Sequence, residues 1–402
     1  MTAQYDLLSS DVIADPYPVY QEIRSTDPVY WIGWSWLLTR YTDVLAALRD
    51  PRLSSAGSDF DVGELPEDQR QRLAPLLKTL SQMMIFSDPP VHTRLRGLVN
   101  KAFTPRVIEG LKAHVQELVN ELLDAVQDSG RMDIIHDLAY PLPVIAIAEL
   151  LGLPRENSDQ FKEWCDDIIA FIGAGAGVMD FGEQADVALQ SVADLKTFLH
   201  EVIEDRRARP RQDLLSGLIA AEEQGDVLSE DEMIATCIVT LFAGNETTVN
   251  LIGNGLYALL RHPDQLTLLQ NDPSLIGTAI EEFLRYDSPV QMLQRIAKED
   301  MEFGGKQIAK GDRVMPLLGA ANRDPEQFPD PDRLDISRQE NRHIAFGHGI
   351  HFCLGAALGR AEGQIAISTL LRRMPEIRLA GETPEYFLNP SFRGLQALSV
   401  TF

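Results

Sequence analysis

Between Ser229 and Pro263 the chain carries no proline, and apolar residues fill most of the interval. Ser229 followed by Glu232 is a capping box, in which each side chain satisfies a backbone N–H that a helix start leaves unpaired. About 34 residues are therefore free to form one helix of roughly 50 Å. A rod of that length crosses a whole globule of this size, so its middle has to be buried and polar residues there need a reason. Such residues occur: Ala243-Gly244-Asn245-Glu246-Thr247-Thr248 interrupts the apolar run. Burying Glu246 unpaired is costly, so it must be paired, hydrated or neutral. Gly244 and two β-branched threonines are weak helix formers, which softens the rod locally. Two readings fit these residues. In one, the hydroxyls bond back to carbonyls of the preceding turn and Glu246 finds an arginine. In the other, an acid and an alcohol form a proton relay.

Around this rod the pattern is mostly helical. Apolar residues recur three and four apart from Arg106 to Val126 and from Ala185 to Arg207. Residues 43–49 and 354–373 also read as helices, and the first 25 residues or so as coil with a short helix after Pro18. A hairpin is expected at Val29–Ile32 against Trp34–Thr39. Short strands are expected at Met301–Phe303, Lys306–Ile308, Arg313–Leu318 and beyond Ile377. A coil rich in Pro, Asp and Asn runs from Asn322 to Arg342, and Ile172–Gly177 is the one flexible-looking stretch. The fold class is mainly α with small β-sheets. The 402 residues would allow two or three domains by length alone, yet no linker or repeat divides them.

Charge narrows the function. With 36 Lys and Arg against 60 Asp and Glu, the net charge is −24, a poor match for nucleic acid or an anionic membrane. Three cysteines, Cys165, Cys237 and Cys353, suit a reducing compartment rather than a disulfide framework. No secretory leader is visible, and the most apolar stretch, Ile234–Ala243, is far short of the ~20 residues of a membrane span. A cytoplasmic protein is expected.

The segment Phe346-Gly347-His348-Gly349-Ile350-His351-Phe352-Cys353-Leu354-Gly355 carries the most chemistry. Its glycines permit a tight bend and the close approach of a flat ligand. Cys353 stands directly before a helix, Leu354 onward, whose N-terminal partial charge favours thiolate, and thiolate is a strong iron ligand. A structural cysteine in a glycine turn, or a zinc site of His343, His348, His351 and Cys353, remain alternatives on residue types alone. Elsewhere, Glu282-Phe283-Leu284-Arg285 places an acid and a guanidinium on one helix face, by itself an ordinary solvated pair. His92 and Arg96 share a face of a helix that follows Pro89-Pro90, and Arg295 lies in the apolar run Met292–Ala297.

Phe346, Gly349, Cys353 and Gly355 spell Phe-x-x-Gly-x-x-x-Cys-x-Gly, and on these residues the chain resembles the cytochrome P-450 superfamily. Three more of its motifs follow in order: the oxygen-side stretch at 243–248, Glu-x-x-Arg at Glu282 and Arg285, and an arginine in Pro331-Asp332-Arg333. The likeness runs from about Asp15 to the C-terminus and is nearest the soluble bacterial members.

That resemblance implies one triangular domain over residues 1–402, with no fused reductase or ferredoxin domain. It implies haem b (iron protoporphyrin IX) held between the long helix and the cysteine helix. Cys353 would be the axial iron ligand in a loop shaped by Phe346, Gly349 and Gly355. His92, Arg96, Arg295 and His351 would bind the propionates, while Ala243 and Gly244 leave room for oxygen. Thr247 would steady activated oxygen and an ordered water, and Glu246 would pass protons. Glu282, Arg285 and Arg333 would form a buried structural triad.

The implied reaction is insertion of one atom of O2 into a lipophilic small molecule, by hydroxylation or epoxidation. Terpenoids, steroids, polyketide macrolides and fatty acids are all candidate substrates. Substrate would be lined by Met84, Phe86, Ala243, Thr247, Val290, Leu293 and Phe392, under a lid around Ile168–Met179. Electrons would come from NAD(P)H through a separate ferredoxin and ferredoxin reductase, or a flavodoxin-type donor. The donor would dock on Lys101, Arg106, Lys112, Arg342 and Arg360, with Arg94 adding to them. A monomer is expected. The rival classes are a haem-thiolate ligand-binding protein without turnover and a zinc-stabilised structural protein.

Overall fold

The computed structural model describes residues 5–7, 9–56, 67–103, 105–175, 182–223, 228–381 and 383–402. Its axis is the predicted helix, Glu230–Leu260. Both halves of the capping box form: Ser229 Oγ accepts from the Glu232 N–H at 3.2 Å, and the Ser229 N–H donates to Glu232 Oε2 at 2.9 Å. The helix ends before His262 because Pro263, which opens the next helix, disfavours helical geometry in its predecessor. The long helix packs against Pro141–Leu151, Ser158–Gly175 (the cover helix), Ile276–Tyr286 and Ala356–Arg373 (the cysteine helix). It serves two apolar cores. Met233–Phe242 supplies side chains to one and Val249–Leu259 to the other. The polar stretch 243–248 lies at their junction.

A five-stranded sheet runs in the order Val29–Trp31, Ser35–Leu38, Arg313–Pro316, Arg295–Ala297, Leu53–Ser54. The hairpin pairs Val29 with Leu38, as its alternation predicts. Arg295 pairs with Val314, which fixes it beside the cysteine loop's neighbourhood without any help from sequence proximity. Met301–Phe303 and Lys306–Ile308 form the expected second hairpin, with Gly304 and Gly305 at φ +55° and +79°, as its two-residue turn requires. Arg131–Asp133, Ser399–Thr401 and Arg378–Leu379 make a three-stranded sheet.

The N-terminal region is more helical than expected, with Ser10–Ala14 and Tyr17–Thr26. Pro18 falls in the first turn of the second helix, where a missing N–H costs nothing. Among the described residues no helix is long and apolar enough to cross a membrane.

Candidate active site

The polar stretch of the long helix faces a cavity of about 350 Å³. Cys353 and Gly355 border the same cavity. The cysteine loop is shaped by its own backbone: the Cys353 N–H donates to Phe346 O at 3.0 Å, and the Gly347 N–H to Ile344 O at 2.8 Å. Gly349 has φ +72°, and a Cβ there would stand 2.6 Å from the Leu48 carbonyl oxygen. Packing against the protein's own backbone therefore demands this glycine. At Gly355 a Cβ would meet no protein atom within 4 Å, so this glycine keeps the cavity wall low instead.

The cysteine helix starts at Ala356 rather than Leu354. Burial is the largest influence on the Cys353 thiol and pushes it up. The Gly355 and Ala356 N–H groups, Arg96 and Arg360 pull the other way. The helix terminus thus favours thiolate as expected, but desolvation outweighs it until a metal cation sits on the sulfur.

Beside the cavity His92, Arg96, Arg295 and His351 converge from three separate segments. The His92 and His351 rings lie 4.2 Å apart. Both nitrogens of His92 and Nε2 of His351 are buried without a hydrogen-bond partner. Burial, then the neighbouring Arg295 and His92, drive His351 down to about 3. Burial and Arg96 lower His92 as well. Orphaned donors beside two guanidiniums fit a ligand with paired anionic ends. The low wall at Gly355 and the buried sulfur fit a flat, metal-bearing body.

On the long helix Thr247 donates to Ala243 O at 2.9 Å and Thr248 to Gly244 O at 3.2 Å. These back-bonds are those of the structural reading. Among the described residues Glu246 finds no arginine. Asn250 Nδ2 donates to its Oε1 at 3.1 Å, and burial, followed by Asp166, raises the carboxyl above its usual range. Ala243 and Gly244 both border the cavity, and the smallness of Gly244 also serves helix packing, since a Cβ there would meet Ile147 at 3.1 Å.

The family model for cytochrome P450 matches residues 65–383. The chain belongs to the cytochrome P450 family. It is 42% identical over 406 residues to the biotin biosynthesis cytochrome P450 of Bacillus subtilis, covering all of both chains. It is 44% identical over 408 residues to the vitamin D(3) 25-hydroxylase of Pseudonocardia autotrophica, covering 100% of this chain and 97% of that one. Among solved structures, P450BioI in complex with an acyl carrier protein ligated to hexadec-9Z-enoic acid aligns with a TM-score of 0.89 at 42% identity, over 98% of this chain and 100% of that chain. The protein is a P450 monooxygenase whose cofactor is haem b. A lipophilic substrate, O2 and redox partners go with the family.

In this P450 the structural triad differs from expectation. Glu282 and Arg285 are fully buried and form a two-bond pair, Nε to Oε2 and Nη2 to Oε1, each 2.8 Å. The third guanidinium is not Arg333, whose side chain is exposed. Arg333 contributes only its carbonyl, which accepts from Arg285 Nη2 at 3.1 Å. Arg338 donates to Glu282 Oε2 at 3.1 Å in its place, joined by Asn341 Nδ2 at 3.1 Å and the Asp335 N–H at 2.9 Å. The turn at Asp330–Arg333 points Arg333 outward and brings the later arginine in.

The basic face also shrinks. Arg360 is engaged by Glu281 at 2.7 and 2.8 Å while its guanidinium lies 4.4 Å over the Phe346 ring. Arg94 pairs with Glu232 and Lys112 with Glu109. Lys101 and Arg342 are exposed, and the Arg106 side chain lies outside the described residues. The zinc alternative has no support. His343 bonds Glu281, His348 meets Arg49 and His351 meets His92. Among the described residues no metal-holding group of three or more His, Cys, Asp or Glu occurs.

Met84, Phe86, Ala243, Thr247, Val290, Leu293 and Phe392 all border the cavity. Of the expected lid, Ile169 and Ile172 do so, Ile168 turns into the core, and 176–181 lie outside the described residues. Sequence reasoning missed Glu281. The residue sits next to Glu282, and only the fold shows that the neighbouring acids serve different partners. Burial would raise Glu281, but Arg360 and His343 overrule it and hold the carboxyl at about 2.

Proposed function

We propose that Cys353 would hold the haem iron of this P450 through its sulfur, and that Glu246 and Thr247 would serve the handling of O2 and protons. One observation carries this reading: Cys353 and the Glu246–Thr247 pair, more than a hundred residues apart in the chain, line the same cavity. Haem b, when bound, supplies the redox chemistry that activates O2. His92, Arg96, Arg295 and His351 would take its two carboxylates. Thr247 spends its O–H on Ala243 O, which leaves its oxygen lone pairs free to accept a hydrogen bond in the cavity. Glu246, its proton affinity raised by burial, holds a proton more readily than a surface carboxylate. A haem-thiolate binder without turnover would have no use for that acid and alcohol.

The aliphatic and aromatic wall excludes water and suits an extended lipophilic substrate, such as a fatty-acyl chain or a sterol. The names of the similar hydroxylase and of the acyl-carrier complex point the same way. Electrons would come from a separate ferredoxin-type donor docking on the cysteine loop. Ile350 and Phe352 there are 51% and 42% exposed, and Arg342 is exposed as well.

Dithionite reduction followed by carbon monoxide tests the ligand assignment. A strongly red-shifted Soret band is expected, and Cys353→Ala should abolish it. A haem spectrum without the shift in the unaltered protein would refute thiolate ligation. Titration of the ferric protein with long-chain fatty acids and steroids, read by the spin-state change, then tests the substrate class. Saturable shifts are expected, and none with either series would refute it.

A further inference from the structure

Hydrogen-bonded polar side chains run from solvent to Asn245, the neighbour of Glu246, and the proposed reaction makes no use of them. Asp166 lies exposed on the cover helix, and its Oδ1 accepts from Tyr140 Oη at 3.3 Å. Tyr140, half-buried just before the helix Pro141–Leu151, accepts in turn from Asn245 Nδ2 at 3.4 Å. Asn245 is 1% exposed and precedes Glu246 on the long helix, with its Oδ1 buried and unpartnered. Asn250 fixes Glu246 from one turn further on. The groups that act on Glu246 or Tyr140 come from every element packed there. Asp166, Cys165 and Lys162 lie on the cover helix, Tyr140 on the turn, and Asn245, Glu246 and Asn250 on the long helix. Lys162 places its amine 4.0 Å over the Tyr140 ring.

We propose that Asp166 and Tyr140 relay protons from solvent to Glu246, with Asn245 holding Tyr140 in register. The inference rests on the reading of Glu246 as proton donor to the cavity. The step balances simply. Asp166 takes a proton from water and gives it to the Tyr140 oxygen, while Tyr140 passes its own phenolic proton toward Glu246, directly or through one ordered water. The Asp166 carboxylate and the Tyr140 hydroxyl are restored, one proton is delivered and no electron moves. The environment suits the roles. Burial, then Asp166, pushes the phenol well above its usual range, so Tyr140 exchanges protons without resting as phenolate. Asp166 and Glu246 are both raised, chiefly by lost hydration. Tyr140 and Asp166 are positioning residues that act through Glu246. Because Asp166 shares its helix with cavity-lining Ile169 and Ile172, the relay also reports where the cover helix sits.

The test uses the full-length haem-loaded protein with Tyr140→Phe, Asp166→Asn and Glu246→Gln. Three quantities are read with a spin-shifting substrate: product per NADH, hydrogen peroxide released, and the solvent kinetic isotope effect. Tyr140→Phe and Asp166→Asn should each lower product per NADH by roughly three- to tenfold, below the ~10²-fold cost of losing a general acid. Peroxide and the isotope effect should rise while substrate affinity and the carbon monoxide spectrum stay unchanged. Unchanged coupling and isotope effect in both variants would overturn the relay. Independently of turnover, infrared titration should find a protonated-carboxyl band that vanishes in Glu246→Gln. That band should titrate at lower pH in Asp166→Asn, because a nearby negative charge is gone. An unmoved band would overturn the coupling of Asp166 to Glu246 even if the wild type made no product, an outcome that would instead defeat the oxygenase reading. If Tyr140→Phe fails to fold, solvent-facing Asp166→Asn decides both readouts.

Discussion

Truncating Arg338 should destabilise this P450 far more than truncating Arg333. Glu282 is fully buried and accepts five hydrogen bonds, two from Arg285 and one each from Arg338, Asn341 and the Asp335 N–H. Removing one partner of a buried charge pair costs ~3–5 kcal/mol when the remaining charge is stranded. Here Arg285 still neutralises Glu282, so the loss is nearer that of one charged hydrogen bond, ~1.5–3 kcal/mol. Arg338 also donates to Pro329 O at 2.9 Å, a contact that holds the proline-rich coil in place. We expect about 2–3 kcal/mol for Arg338→Ala, or a ~30–150-fold fall in the folded-to-unfolded ratio. Arg333→Ala leaves its backbone carbonyl on Arg285, and an exposed side chain typically changes stability within ~0.5 kcal/mol. Guanidinium unfolding of the haem-loaded variants, followed by Soret absorbance and tryptophan fluorescence together, separates loss of cofactor from loss of fold. The double variant should match Arg338→Ala. A large cost at Arg333 with a silent Arg338 would refute the assignment.

Gly349→Ala should cost about 2–4 kcal/mol in thermal or chemical unfolding, because a Cβ meets the Leu48 carbonyl at positive φ. Gly355→Ala should leave the unfolding of the haem-free chain unchanged and weaken haem retention, as measured by transfer of haem to an acceptor protein. The Glu281 carboxyl is depressed from about 4.5 to about 2, so its contribution to stability is complete above about 4.5 and is lost as pH falls toward about 2. Glu281→Gln should accordingly flatten the acid limb of the stability–pH curve; an unchanged limb would show that Arg360 and His343 do not stabilise the ionised form. Thr247→Ala should keep NADH oxidation within a few-fold while diverting most of it to peroxide, and full coupling in that variant would remove the hydroxyl from the proposed proton path.

Much of the fold follows from local rules. The capping box and the proline at 263 define the long helix, and paired glycines at 304 and 305 define a hairpin. Boundaries slipped where local signals were silent, as at Leu354, whose chain turns once more before the helix begins. Site residues were legible where chemistry demands a residue type at a spacing. His92, Arg96, Arg295 and His351 were legible as a set only through the family resemblance, since each by itself reads as a surface cation; the fold brings them to one cavity. Arg333 was misjudged because every arginine near a motif looks alike until its backbone direction is known.

What the sequence determines by itself is therefore the set of parts: a buried helix with a polar interruption, a bent cysteine loop, and the charged groups that a haem-binding P450 needs. Tertiary structure decides which parts meet. It turns Arg333 out and Arg338 in, engages Arg360 with Glu281, aims Gly244 at Ile147, and sets Tyr140 and Asp166 beside Asn245 and Glu246. The physical reason is range. Capping, turn and helix preferences act over a few residues, whereas hydrogen-bond partnership and desolvation depend on which distant segments the packed cores bring within about 3 Å.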